Sequence, residues 1–247
     1  MKELRAGFFA GEFGWELMRW QANIGYIAND YDKVIIGCEM SHRFLYKDFA
    51  TEFVDFPLEI KSRNMWYTNG RVYPMSNDNC IIPSRKICLS EYQKFIKYGN
   101  RKKELGYDIL IHARYSKNMN TGYRNWCREN WVSLVELLKN YNMASIGTRE
   151  DALWIPGTID NRDVQLSKLA DTMASSKMII GPSSGPMHLA SLCGLKHIVW
   201  SDKKTVGIMN NEKRYKDIWN PFGTECKFIP TWQPGISQVE REVIKWL

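Results

Sequence analysis

The sequence predicts an α/β protein built from two Rossmann-like halves. Three observations carry this reading. Short apolar runs alternate with segments of helical spacing, the alternation restarts after a charged stretch near residue 100, and each half places a glycine-containing turn between an apolar run and a helix. With 247 residues, 44% hydrophobic and 25% charged, the chain can bury one large core or two small ones.

Residues 4–10 (LRAGFFA) read as the first strand. AGEFG at 10–14 reads as a turn, and Trp15, Leu17, Met18, Gln21, Ile24 and Ile27 follow with the spacing of one helix face. Residues 33–37 and 53–56 read as further strands, with a helix expected around 41–50. The polar stretch 62–90, rich in Asn and Pro, reads as loop. The charged segment 98–106 is the expected linker, giving predicted domains 1–105 and 106–247. Beyond it come a strand at 107–113, an amphipathic helix at about 129–140, a strand at 143–147 and a helix at 164–175. A strand at 177–181, a turn at 181–188 opening a helix through 192, a strand at 197–200 and a final helix at 236–247 complete the order.

No stretch approaches the roughly 18 uninterrupted apolar residues of a membrane span. Lys2, Glu3, Arg5, Glu12 and Glu16 break any secretory h-region at the start of the sequence. The expectation is a cytoplasmic protein without stable membrane insertion. Six cysteines without a CxxC pair read as reduced thiols, and His42, His112, His188 and His197 follow no metal-ligand spacing, so no metal is expected. The net charge of +7 is unevenly spread: residues 1–58 carry −3 and residues 59–104 carry +6. That second segment interleaves Arg63, Arg71 and other cations with Trp66, Tyr67 and Tyr73, a composition suited to a polyanion such as duplex DNA, or to a solvated surface.

The most specific signal lies in the second half, where the run 178–181 turns directly into Pro182-Ser-Ser-Gly-Pro-Met-His-Leu-Ala190. A strand that turns straight into a helix aims backbone N–H groups and the positive helix end outward, which suits a phosphate. Gly185 permits close approach and Pro186 suits a first helical turn. In the first half, the turn carrying Gly11, Glu12, Phe13, Gly14, Trp15 and Glu16 stands at the carboxyl end of the first strand, where open α/β sheets place ligands. The pattern is neither GxGxxG nor GxxxxGK.

Residues 180–190 resemble the diphosphate-binding motif of the ADP-heptose heptosyltransferases (glycosyltransferase family nine), usually written (D/S)(T/S)GPxHLA. The resemblance is broad over 107–235 and weak over 1–105. It implies a GT-B glycosyltransferase, two Rossmann-like domains facing a central cleft, that uses a nucleotide-diphosphate sugar as co-substrate and no other cofactor, by an inverting, metal-independent reaction. The family's motif then places Ser183, Ser184, Gly185, Met187 and His188 on the donor diphosphate. Arg114, Ser116 and Lys117 after the strand ending at Ala113, with Arg124 before Trp126, match its cationic and hydroxyl positions, and Glu150 its ribose position. Positive side chains suit this role because a departing nucleoside diphosphate develops negative charge. Glu12 matches the family's acidic residue after glycine and is the expected base, with Glu16 in reserve. Gly11, Phe13, Gly14, Trp15, Arg63, Trp66 and Arg71 are the expected acceptor contacts.

The acceptor expected from the basic, aromatic segment is a hydroxymethylated base in bacteriophage DNA, reached by extruding it from the duplex. A saccharide or lipopolysaccharide-core acceptor is the alternative. A non-catalytic module that binds nucleotide sugar or nucleic acid is the competing class.

Overall fold

The computed structural model describes residues 2–57, 71–73, 75, 80–81, 92–117, 122–201 and 211–247. The chain forms two units, Met1–Ile96 and Lys97–Leu247.

In the first unit the apolar run 4–10 does not form one strand. It breaks at Gly7 into β1 (Glu3–Ala6) and β2 (Phe8–Ala10), and these join different sheets. β1 lies in a four-stranded parallel sheet of order β4-β3-β1-β6, with β3 at Lys33–Cys38, β4 at Glu52–Asp55 and β6 at Cys80–Ile81. The register sets Leu4 beside Val34, Ile36 beside Phe53 and Ala6 beside Ile81. Because the strands after β1 fill one side first and then the other, the order reverses at β1, as ligand-binding α/β sheets do. β2 instead pairs antiparallel with β5 (Arg71–Tyr73). Strands β5 and β6 thus fall inside the stretch expected to be loop.

The helix expected after the first turn is present but irregular. It runs as α1 (Phe13–Trp15), a π-helical stretch Glu16–Gln21, and α2 (Ala22–Ile27). A six-residue π-helical stretch is long for a form that mostly occurs as single-turn bulges, frequently at functional sites. Leu17, Met18, Trp20 and Ile24 are buried on it, which is the packing that the apolar spacing requires. The helix expected at 41–50 is a 3₁₀ segment, Met40–Leu45.

The second unit follows the expected order closely. Its six-stranded parallel sheet runs β12-β11-β10-β7-β8-β9. The strands are β7 (Ile109–Ile111), β8 (Met143–Ser145), β9 (Ile159–Asp160), β10 (Met178–Pro182), β11 (Lys196–Trp200) and β12 (Cys226–Ile229). β7, β8 and β10 are buried along their whole length, as the middle strands of a parallel sheet covered on both faces must be. The helices are α3 (Arg128–Leu137), α4 (Leu166–Ser175), α5 (Gly185–Leu192), α6 (Glu212–Asp217) and α7 (Ile236–Ile244). Three buried indoles, Trp126, Trp131 and Trp200, meet at ring-centroid distances of 4.8–5.4 Å in the core beside Val135, Val239 and Val243.

The charged segment 98–106 docks on this second unit. Tyr98 N–H donates to Leu192 O (3.1 Å), and Lys102 N–H donates to Ser175 Oγ (2.8 Å). Lys102 Nζ pairs with Asp171 (2.5 Å). Among the described residues, no helix is long and apolar enough to cross a membrane.

Candidate functional site

The second unit gathers its predicted cations at the carboxyl ends of β7 and β10. The Arg124 guanidinium donates through Nη2 to the carbonyl oxygen of Ser183, and lies 4.8 Å from the Trp232 ring centroid. A planar cation held on an aromatic face keeps one orientation at low entropic cost. Arg114 Nη1 donates to Asn125 Oδ1 (2.7 Å), an oxygen that also accepts Ser116 N–H (3.0 Å), while Asn125 Nδ2 donates to Ser116 O (2.9 Å). Asn125 therefore fixes the 114–116 loop, a role the sequence reading missed. Gln233 Nε2 in turn donates to the Asn125 carbonyl (2.9 Å).

Two buried histidines of this unit are held neutral. Burial first, and then the charges of Arg114 and Arg124, hold His112 at about 4, well below its ordinary 6.5. His188 falls to about 3, through burial and then the charge of Arg124. His188 is stacked on Trp219 at 4.8 Å and its Nδ1 has no hydrogen-bond partner among the described residues. Its ring also lies 5.7 Å from that of Tyr215.

The turn into α5 is tight. Gly181 allows β10 to pass the His112 carbonyl: a Cβ there would lie 2.9 Å from that oxygen and 3.2 Å from Met187 Sδ. Ser184 is the N-cap residue, extended, but its hydroxyl donates to Pro182 O (2.9 Å) rather than capping the helix. The Ser183 and Met187 side chains are fully buried. Gly185 and Met187 lead the helix with amides that have no intrahelical acceptor, next to the Arg124–Ser183 contact. Lys117 and Glu150 are exposed, the latter in the turn after Gly147, whose φ of +118° needs glycine. The turn carrying Glu150 is tied to the 114–115 loop: Tyr115 N–H donates to Asp151 O (2.7 Å), and Arg114 forms a β-bridge with Ala152.

In the first unit, Gly11 is buried and Glu12 exposed. The Glu12 carbonyl accepts Trp15 N–H (2.9 Å) and Glu16 N–H (3.2 Å), starting the helix. Phe13 packs its ring 5.6 Å from His42, and Arg19 covers Trp15 at 5.0 Å, so two of the three expected acceptor aromatics contact neighbours within the unit. Glu16 is only 5% exposed. Its Oε2 lies 2.7 Å from His42 Nδ1, and its Oε1 accepts Tyr46 O–H at 2.7 Å. Arg71 lies in β5 with its backbone paired to Ala10. Arg63 and Trp66 lie outside the described residues. Among the described residues, no cluster of three or more His, Cys, Asp or Glu is placed to hold a metal ion.

This architecture, two Rossmann-like units with a helix-opening turn after a central strand, defines the GT-B class of fold. Solved structures agree. The chain superposes on the ADP-heptose lipopolysaccharide heptosyltransferase II of E. coli with a TM-score of 0.59 and 11% identity, over 100% of this chain and 98% of that one. The glycosyltransferase family 9 protein of Veillonella parvula gives 0.57 and 13% over 99% and 95%. The iron-containing dodecameric glycosyltransferase TibC of enterotoxigenic E. coli gives 0.56 and 12% over 94% and 62%. No family model matches the sequence, and no curated protein matches it.

Proposed function

We propose that the protein is a glycosyltransferase that moves a sugar from a nucleoside-diphosphate sugar to a saccharide hydroxyl, of the lipopolysaccharide-core kind, with inversion and without a metal. The observation that carries this is the cationic turn of the second unit. Arg124 is bound to the Ser183 carbonyl at the head of α5, Arg114 is fixed by Asn125, and the first amides of the helix lie alongside. Such donors suit an anion whose charge grows as the glycosidic bond breaks. In this reading Ser184, Gly185 and Met187 supply the turn, Arg114, Ser116, Lys117 and Arg124 supply the charge and hydrogen bonds, and Glu150 meets the ribose.

The fold likeness to heptosyltransferases favours a saccharide acceptor over a hydroxymethylated DNA base. The basic segment that suggested DNA lies mostly outside the described residues, so the structure adds nothing to that reading. The acceptor hydroxyl loses its proton to a group of the first unit. Glu12, exposed at the head of the first helix, is the candidate for this role, with Glu16 in reserve.

The test is incubation of the full chain with ADP-heptose, UDP-glucose or GDP-mannose, each offered a lipopolysaccharide-core oligosaccharide or hydroxymethylated duplex DNA. A mass increase of one sugar on the oligosaccharide is expected. Sugar on the DNA alone overturns the acceptor, while tight binding of nucleoside diphosphate with no turnover makes the protein a binding module.

A further inference from the structure

We propose that Asp163 is a positioning residue for nucleoside recognition: it clasps the turn at 147–152, which carries Glu150, in the shape that meets the donor ribose. This rests on the glycosyltransferase reading above and deepens its assignment of Glu150.

The turn follows β8, and the segment 161–163 follows β9, the parallel neighbour of β8, with Ser145 beside Asp160. Both therefore leave the sheet at its carboxyl end, where α/β folds place ligands. The pairing continues past the strands: Asn161 N–H donates to Ser145 O (2.9 Å) and Asp163 N–H to Gly147 O (2.9 Å). Asp163 Oδ1 accepts Arg149 N–H (2.9 Å), and its Oδ2 lies 3.1 Å from Arg149 Nε. Arg162 adds a second hold, bidentate to Asp160 (2.7 and 2.9 Å) and donating through Nη1 to Ala152 O (2.9 Å). Glu150 lies between the two held residues, Arg149 and Ala152, and is exposed.

The backbone singles out Asp163. Its φ of +56° is the one positive value at a non-glycine position among the described residues. Left-handed backbone is uncommon outside glycine, and Asp and Asn tolerate it best. It persists where the surroundings over-determine it, and here the main-chain N–H and both carboxylate oxygens are engaged at once. The ion pair carries little of this, because the Arg149 and Asp163 side chains keep 67% and 47% of their surface exposed. The bonds to main chain at Gly147 and Arg149 carry more. The charge of Arg149 is answered by Asp163 and, at 3.8 Å, by Asp160. A carboxylate such as that of Glu150 has two accepting oxygens, which suits the paired hydroxyls of a ribose.

The test is titration calorimetry of the full chain with ADP, UDP and GDP and with their 2′-deoxy forms. For the diphosphate that binds the wild type, a preference of about 10-fold or more for the ribose form is expected, and Glu150→Ala is expected to cut it to about 2-fold or less. Asp163→Gly keeps the left-handed backbone but removes the carboxylate. It is expected to cut the preference to about 3-fold or less while the 2′-deoxy form binds as it does to the wild type. Asp163→Asn keeps an oxygen for Arg149 N–H and is expected to hold the preference within about 2-fold of wild type. A residue that only stabilises the fold would weaken both forms alike. An unchanged preference in Asp163→Gly, where Glu150→Ala loses it, overturns the proposal. Amide hydrogen exchange of the wild type needs neither variant nor ligand: slowed exchange at Arg149 is expected, and exchange as fast as in an unfolded chain overturns the clasp. A wild type that binds one of the three diphosphates without preferring its ribose form removes Glu150 from the ribose, and Asp163 with it. A wild type that binds none of them brings down the glycosyltransferase reading itself.

Discussion

The two units place their titratable groups in opposite ways. The first buries a carboxylate, Glu16, and satisfies it with an imidazole and a phenol. The second buries three imidazoles, His112, His188 and His197, all held neutral well below the ordinary value, with Arg114 and Arg124 acting on one or both of the first two. One unit keeps a carboxylate in its interior, the other neutral imidazoles beside two guanidinium groups. A group transfer from a phosphate needs a proton acceptor for the nucleophile and cations for the leaving group.

The comparison breaks first if the second unit does not depend on its apolar core. Trp200→Ala removes the largest side chain of β11 from contact with Trp126 and Trp131. Chemical denaturation is expected to show a loss of about 3–5 kcal/mol, the cost of emptying an aromatic core site. A loss under 1 kcal/mol means the three indoles pack loosely.

That unit was also the legible one. Its strands at 143, 178 and 196 and the helices at 128, 166 and 185 stand within two or three residues of where apolar periodicity and turn residues put them, because each is a regular element with a local signature. Strands β9 and β12 and helix α6 carry no such signature and were not anticipated. In the first unit the apolar run 4–10 has nothing to show that Gly7 divides it between two sheets. The π-helical stretch has the same apolar spacing as an α-helix. The site divides likewise: the turn at 182–188 is a local motif, whereas the Glu16–His42 pair spans 26 residues and exists only when β1 and β3 are adjacent. Asn125 and Trp232 were missed for the same reason.

A second test sharpens the cationic half. Arg124→Ala is expected to weaken binding of ADP, UDP or GDP, whichever binds the wild type, by about 1.5–3 kcal/mol in titration calorimetry, since a charge-assisted bond to phosphate is lost. Arg124→Lys is expected to recover little. A lysine ammonium cannot reproduce the planar guanidinium that bonds the Ser183 carbonyl while lying over Trp232. Equal affinity in both variants removes Arg124 from the donor site.

The buried histidines set a smaller, pH-dependent effect. Their folded values of about 3 to 4 lie below the unfolded value near 6.5, so the unfolded chain binds protons that the folded chain refuses. Their contribution is complete above pH 6.5 and is lost as pH falls toward the folded values. At pH 5.5 each histidine is expected to account for about 1 kcal/mol of lost stability. Replacing His188 by Phe, which preserves the stack on Trp219, should flatten the curve between pH 7 and 5.5 by that amount. An unchanged slope means His188 already takes a proton in the folded protein, and the neutral-imidazole half of the comparison fails.

The smallest expected effect is none: excess EDTA is expected to leave the initial transfer rate unchanged. The argument is one of charge supply. A departing nucleoside diphosphate carries its new charge on the oxygen that leaves the sugar, and a divalent cation is one way to stabilise it. Guanidinium groups are another, because they stay protonated at every working pH and can bond two oxygens at once. Arg124 is locked by a carbonyl and an indole and Arg114 by an amide, so neither has to reorganise as the charge develops. If EDTA abolished transfer and magnesium or manganese restored it, the two arginines would bind the donor without meeting the charge of its departure. The second unit would then be a cradle rather than half of the catalyst.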